Sequence, residues 1–593
     1  GGNNVALGFR ALCANTVGTN NIAIGREAGR LSTCSGSVFI GHTAGYSNTT
    51  GVNTAIGNQA MYTNTDGTEN VAVGVQALYA NCSGYQNTAV GNAALFSNTT
   101  GLRNVAVGCG AAYSNTTGDK NTAVGCQAGF SNCTGDGQVA IGSRALYTST
   151  VGENVAVGSC ALTLNTTGAC NTAVGHIALC SNTTGCRNIA LGYKTLSRSL
   201  TASRNVAIGF SALCCSCVGC NTAIGDNAMI YASLACNSVA IGYNALLSCS
   251  DGSGTHINNT AVGAFAGQCA FSGVNNAYFG NSAGLNNKCG SDNTAIGYGA
   301  LYCNVAGGNN TAVGNLAGYK TTGAANTIVG KNAMCNNTSG TCNVAIGFCA
   351  LVANTTCLEN TAVGSFALCK NTSGNNAALG GYAGFGNTSG YANVYVGHLT
   401  GCCNSTGYQN TFLGSQAGRG LAAGVHNVTI VGYAAGCVNQ CSRITAVGSQ
   451  ALKCNTTGAC NSALGYTALF KNTTGNNNTA LGLAAMICNT EGGQNVAVGR
   501  SMNKNCCGSD NTAVGYLALD CNVDGSNNTV VGSQALNFNT TSNNTAMGYG
   551  AAYCSTGCQN TAIGSLALRG SGTSNGTKNV AVGYTALCKV TTG

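Results

Sequence analysis

Residues 87–104 read NTAVGNAALFSNTTGLRN, and the phrase returns about every 17 residues along the whole 593-residue chain. Residues 461–475 (NSALGYTALFKNTTG) are a second clean copy. The glycine closing the Ala-Val-Gly step recurs about 35 times, from Gly8 and Gly25 through Gly74, Gly91 and Gly108 to Gly564 and Gly583. Self-similarity at one short period is the signature of a solenoid, in which each repeat is one coil that cannot bury its apolar face alone. The repeat predicts an all-β, parallel β-solenoid of about 35 coils, with two short strands per coil, spanning residues 1–593 as a single domain.

Within the coil, the position before the glycine is apolar in every copy, as at Leu7, Ile24, Ile40, Val73, Ile141, Phe279, Met547 and Val582. Thr, Val or Ile stands two residues earlier in most copies. This period-two pattern marks a short strand with its β-branched face on the core. The residue between is nearly always Ala, as at Ala89 and Ala123, and occasionally Phe39, Tyr278, Tyr395 or Phe412. A small residue there would permit close approach by a neighbouring chain; the alternative, exposure on the outer face, is the one the tolerated rings favour. After the glycine corner, Ala-Leu or Ala-Gly gives a second buried stretch, and Asn-Thr-Thr-Gly supplies a turn whose residues accept positive φ. Coils stacked at about 4.8 Å would make a rod of roughly 165 Å, with the strand-opening Asn104, Asn121 and Asn171 stacked as an internal ladder. Insertions at 249–258 (CSDGSGTHIN) and 569–578 (RGSGTSNGTK) map to protruding loops.

Composition excludes several classes. Hydrophobic residues reach 44% at fixed phases, which argues against disorder, and the absence of proline argues against collagen. A net charge of +9 on scattered Lys and Arg makes no basic footprint for nucleic acid. No apolar run is long enough to insert in a membrane. The five histidines (His42, His176, His256, His398, His426) never reach metal-ligand spacing, and the 14 acids offer no paired carboxylates. No cofactor, metal site or catalytic residue is expected, and the chain is not read as an enzyme. Threonines in a turn and at a strand start do not make the Thr-x-Thr face of an ice binder. Both termini fall inside repeats without capping segments, so the chain reads as a segment of something longer.

The Asn-Ser/Thr-Val/Ala-Ala/Val-Ile-Gly phrase resembles the head repeats of trimeric autotransporter adhesins. The longer form with Asn-Thr-Thr-Gly resembles repeats in tail-fibre proteins of phages and other viruses. The resemblance covers essentially the whole chain, and it implies a homotrimer on a cell or virion surface that serves attachment. The chain differs from those families in its longer repeat, in lacking a heptad stalk or anchor, and in its 37 cysteines.

Those cysteines recur after Ala-Leu and after the Thr-Thr-Gly turn. Cys180 and Cys186, Cys214 and Cys220, Cys335 and Cys342, Cys454 and Cys460, and Cys554 and Cys558 flank a turn, where a disulfide would clasp its arms. Cys109 and Cys126 share a phase in successive coils, at a spacing a disulfide accepts. Disulfides would imply an oxidising, extracellular setting. Metal binding competes best at Cys214, Cys215, Cys217 and Cys220, which lack a second Cys-x-x-Cys partner. The turn is also a glycosylation sequon. It occurs at Asn48, Asn98, Asn115, Asn165, Asn182, Asn337, Asn354, Asn371, Asn387, Asn455, Asn472 and Asn539, which would line one edge with sugars.

The functional expectation is a disulfide-reinforced fibre or appendage shaft that projects an adhesive tip toward a surface receptor or glycan. The alternative is a self-assembling filament or sheath stacked end to end, which the uncapped strand edges would favour.

Overall fold

The computed structural model describes residues 2–247, 256–570 and 576–589. Of the two insertions, residues 249–255 and 571–575 lie outside the described residues. The chain forms two compact units, residues 1–299 and 300–593, each a parallel β-solenoid. The described residues hold 35 strands of three residues, from β1 (Val5–Leu7) to β35 (Val580–Val582), about 17 residues apart, and no helix. The first unit ends its ladder at β18 (Thr294–Ile296), and the second begins at β19 (Thr311–Val313). Successive strands pair residue on residue. Thr88 meets Val105, Ala89 meets Ala106 and Val90 meets Val107.

The inside and outside of the strand are the reverse of the sequence expectation. The central residue is the core. Ala89 and its counterparts are buried, and so are Phe39, Tyr278, Tyr395 and Phe412, the rings taken as signs of exposure. The residues before the glycine face outward, with Leu464 47% and Leu481 42% exposed. Alternation fixes that the two sets lie on opposite faces but not which face is inner. The inward position is alanine in most coils, but it also takes Ile328, Ile430 and Val530, all fully buried.

The glycine corner is held by contact between coils. At Gly91, φ is +135°, and a Cβ would lie 2.5 Å from the Gly108 carbonyl oxygen of the next coil. The second buried stretch also bonds coil to coil, Leu78 N–H donating to Ala94 O at 2.9 Å. Its backbone is not extended, however. Gln76 and Leu78 both have positive φ, 57° and 52°.

Core volume is matched between the two stretches. Leu78, Leu95 and Leu146 fill coils whose strand centre is alanine. Where the centre is Phe39, the leucine site is glycine in the same coil (Gly45) and in the preceding one (Gly29). A Cβ on Gly29 would lie 2.6 Å from the Phe39 ring. Gly267 and Gly284 flank Tyr278 in the same way, and Gly384 and Gly401 flank Tyr395. This is interior packing at near-crystalline density, with a gain in one side chain offset by a loss beside it.

Two asparagine ladders run through the interior. As expected, the strand-opening residues stack. Asn104 N–H donates to Asn87 Oδ1 (2.9 Å) and its Nδ2 donates to Gly118 O (2.8 Å). Asn121 repeats the backbone bond to Asn104, and Asn171 does so to Asn154. The second ladder is made by the turn asparagines. Asn98 Nδ2 donates to Asn81 Oδ1 (2.8 Å) and Gly101 O (2.9 Å), and Asn115 Nδ2 donates to Asn98 Oδ1 (2.8 Å). Each amide satisfies turn backbone that would otherwise be buried without a partner, which is why asparagine recurs at both phases.

Candidate functional site

The outward strand face is the most extensive candidate. Its first column is Thr, Val or Ile with an occasional Ala or Ser, and its second is aliphatic apart from Phe279 and Met547. None of the 35 described strands contains a charged residue. A three-residue strand is roughly 10 Å long and strands lie about 4.8 Å apart, so the strands of either unit present roughly 800 Å². That matches one partner's share of a stable interface, on a face that pairs an aliphatic column with one in which threonine is frequent. A shallow, nearly wholly apolar depression of about 310 Å³ lies on it, lined by Thr445, Val447, Leu464 and Leu481 among others. The strand-opening threonines do stand outward in a column, contrary to the sequence reading. The neighbouring column carries no threonine, so the face has no Thr-x-Thr lattice.

The sequon asparagines are the inner turn ladder. All twelve are buried. An amide nitrogen enclosed between coils, as Asn98 and Asn115 are, leaves no room for a sugar. The expected glycan-lined edge is therefore incompatible with the folded coil.

None of the twelve cysteines placed in candidate disulfides is bonded to another; Cys249 lies outside the described residues. The clasp fails for a geometric reason at two turns. Cys180 and Cys214 line one cleft, whereas Cys186 and Cys220 line another. Cys335 and Cys342, Cys454 and Cys460, Cys554 and Cys558, and the in-phase pair Cys109 and Cys126 are likewise unbonded. The cluster read as a possible metal site is split, with Cys214 and Cys215 in the first cleft and Cys217 and Cys220 in the second. Among the described residues, no group of three or more His, Cys, Asp or Glu is placed to hold a metal ion, and no helix is long and apolar enough to cross a membrane.

The first cleft, about 390 Å³, brings Cys180, Cys214 and Cys215 together with Lys194 and Arg198. Ser197 Oγ lies 3.1 Å from Cys214 Sγ. The Cys215 thiol donating to Cys214, joined by the Ser197 hydroxyl, Arg198 and Lys194, lowers Cys214 to about 6 against burial acting the other way. Cys215 is raised in turn. Nothing in the local sequence announces this cleft, because Cys180, Lys194 and Cys214 meet only when three coils stack.

An aromatic ladder also runs along the first unit. Tyr46, Tyr62, Tyr79, Phe96, Tyr113, Phe130 and Tyr147 stack in successive coils at 5.0 to 5.3 Å between ring centres. Arg30, in the coil before Tyr46, caps one end, and Arg144 lies against the Tyr147 ring within its own coil. A ring at one phase in seven consecutive repeats was its signal. No family model, curated protein or solved structure matches the chain.

Proposed function

We propose that the chain is the shaft of a fibre or appendage, assembled from copies that associate through the outward strand face. The observation that carries this reading is that face: uncharged in every described strand, largely aliphatic, and of interface size. Its register gives each coil the same chemistry, so a second and third copy would meet it coil against coil, as in a homotrimer. The interior supports a mechanical role, since asparagine ladders bond each coil to the next and specify register. The resemblance to adhesin heads and tail-fibre repeats supports display on a cell or virion surface, where a receptor or glycan would be the partner of an attachment tip. No part of that location rests on the cysteines.

Light scattering coupled to size exclusion tests the assembly. The wild-type chain is expected to elute as a multi-chain species. A Val447→Lys, Leu464→Lys, Leu481→Lys variant should keep its circular dichroism spectrum and shift toward single chains. A wild-type chain that is monomeric at tens of micromolar would overturn the reading.

A further inference from the structure

The cleft around Cys214 has chemistry that a purely mechanical shaft does not need. Its lining combines three thiols (Cys180, Cys214, Cys215) with two cations, Lys194 and Arg198, and includes no carboxylate. Cys214 is buried and Ser197 Oγ stands 3.1 Å from its sulfur. The Ser197 hydroxyl contacts the sulfur, while the Cys215 thiol, Arg198 and Lys194 (its ammonium over the Tyr193 ring) share the cleft, and that environment favours a thiolate over a thiol. The same two cations would pair with carboxylates on an incoming molecule.

We propose that this cleft is a thiol–disulfide exchange site at which Cys214 takes up a low-molecular-weight disulfide bearing carboxylates. The Cys214 thiolate, its proton already released to solvent, attacks one sulfur of the disulfide. A Cys214–S–S–R bond forms as the R–S–S–R bond breaks, and the second half leaves as a thiolate. No electron is gained or lost overall. Lys194 and Arg198 hold the carboxylates of the retained half, while Cys215 and Ser197 donate to the Cys214 sulfur before attack. The groups facing Cys214 are then Cys215, Ser197, Lys194 and Arg198, with Cys180 and Tyr231 completing the wall.

The rate advantage follows from the thiolate fraction. At pH 6 a thiol titrating near 6 is roughly 100-fold more ionised than an ordinary one at about 8.5, and its lower basicity returns roughly a factor of ten, leaving about 10-fold. The reduced full-length chain would be treated with oxidised glutathione at pH 6, quenched in acid and mapped by peptide mass spectrometry. Cys214 is expected to acquire glutathione about 10-fold faster than exposed cysteines such as Cys13 and Cys82. With cystamine, a cationic disulfide, that preference should vanish. A Lys194→Gln, Arg198→Gln variant should lose most of the preference for glutathione over cystamine at Cys214. Labelling of Cys214 no faster than Cys82, or equally fast with both probes, would overturn the proposal. If the double variant fails to fold, the two-probe comparison on the wild-type chain decides alone.

Discussion

Replacing Gly45 with alanine probes the volume matching that shapes the core. Gly45 has φ +59°, and a Cβ there would fall on the edge of the Phe39 ring, inside any real contact distance. The left-handed backbone costs an alanine about 1 kcal/mol more than glycine. Forcing a methyl into the filled core adds about 2 kcal/mol. Gly45→Ala should therefore destabilise its coil by about 3 kcal/mol, and Phe39→Ala alone by about 4 kcal/mol through the cavity it leaves. In the Phe39→Ala background the clash is gone, so Gly45→Ala should cost only its backbone term, a coupling of about 2 kcal/mol. A Phe39→Ala, Gly29→Leu, Gly45→Leu triple should recover much of the loss, because it recreates the alanine-centred coil seen around Ala89 and Leu95. Solenoids open coil by coil, so the assay is native-state hydrogen exchange on amides of residues 22–70 rather than a global melt. A Gly45→Ala cost that is the same with and without Phe39 would refute the matching argument.

Asn98→Ala removes a rung of the inner ladder, leaving the Asn115 amide and the Gly101 carbonyl short of partners; a local loss of about 2 kcal/mol by hydrogen exchange is expected. Expression in a glycosylating host should yield a folded, protease-resistant fraction with no sugar on Asn98 or Asn115, read by glycopeptide mass spectrometry. Burial lowers His256 to about 4, below its unfolded value near 6.5. The unfolded chain binds the extra proton between those limits, so this stability is full above pH 6.5 and is lost as pH falls toward 4. The loss amounts to about 3 kcal/mol and should disappear from the pH dependence of exchange in His256→Gln.

Much of the fold could be read from residues 87–104 alone, because each repeat states its period, its glycine corner and its turn. The ladder at Asn104 and Asn121 followed from stacking identical coils. What could not be read was the sidedness of the strand. Val-Ala-Val obeys the same alternation whichever face is inner, and only the closed coil shows that Ala89 is inside and Val90 outside. Phe39 and Tyr278 misled for the same reason. Their compensation lies at Gly29 and Gly45, and at Gly267 and Gly284, several residues away in sequence and adjacent only in the folded core. The turn asparagines carried two readings, sequon and turn former, and burial of Asn98 and Asn115 decides for the second. The cysteines carried a pattern by phase, but Cys180 and Cys186 diverge to separate clefts, a direction that spacing along the chain does not encode.

The proposed assembly face is the outward side of that inverted strand, and a cryo-EM reconstruction of the full chain at side-chain resolution tests it most directly. Val447, Leu464 and Leu481 should pack dry against the strand face of another copy, with Ala446, Ala463 and Ala480 inside each coil. Single chains with those valine and leucine side chains in water, or with the alanines turned outward, would contradict it.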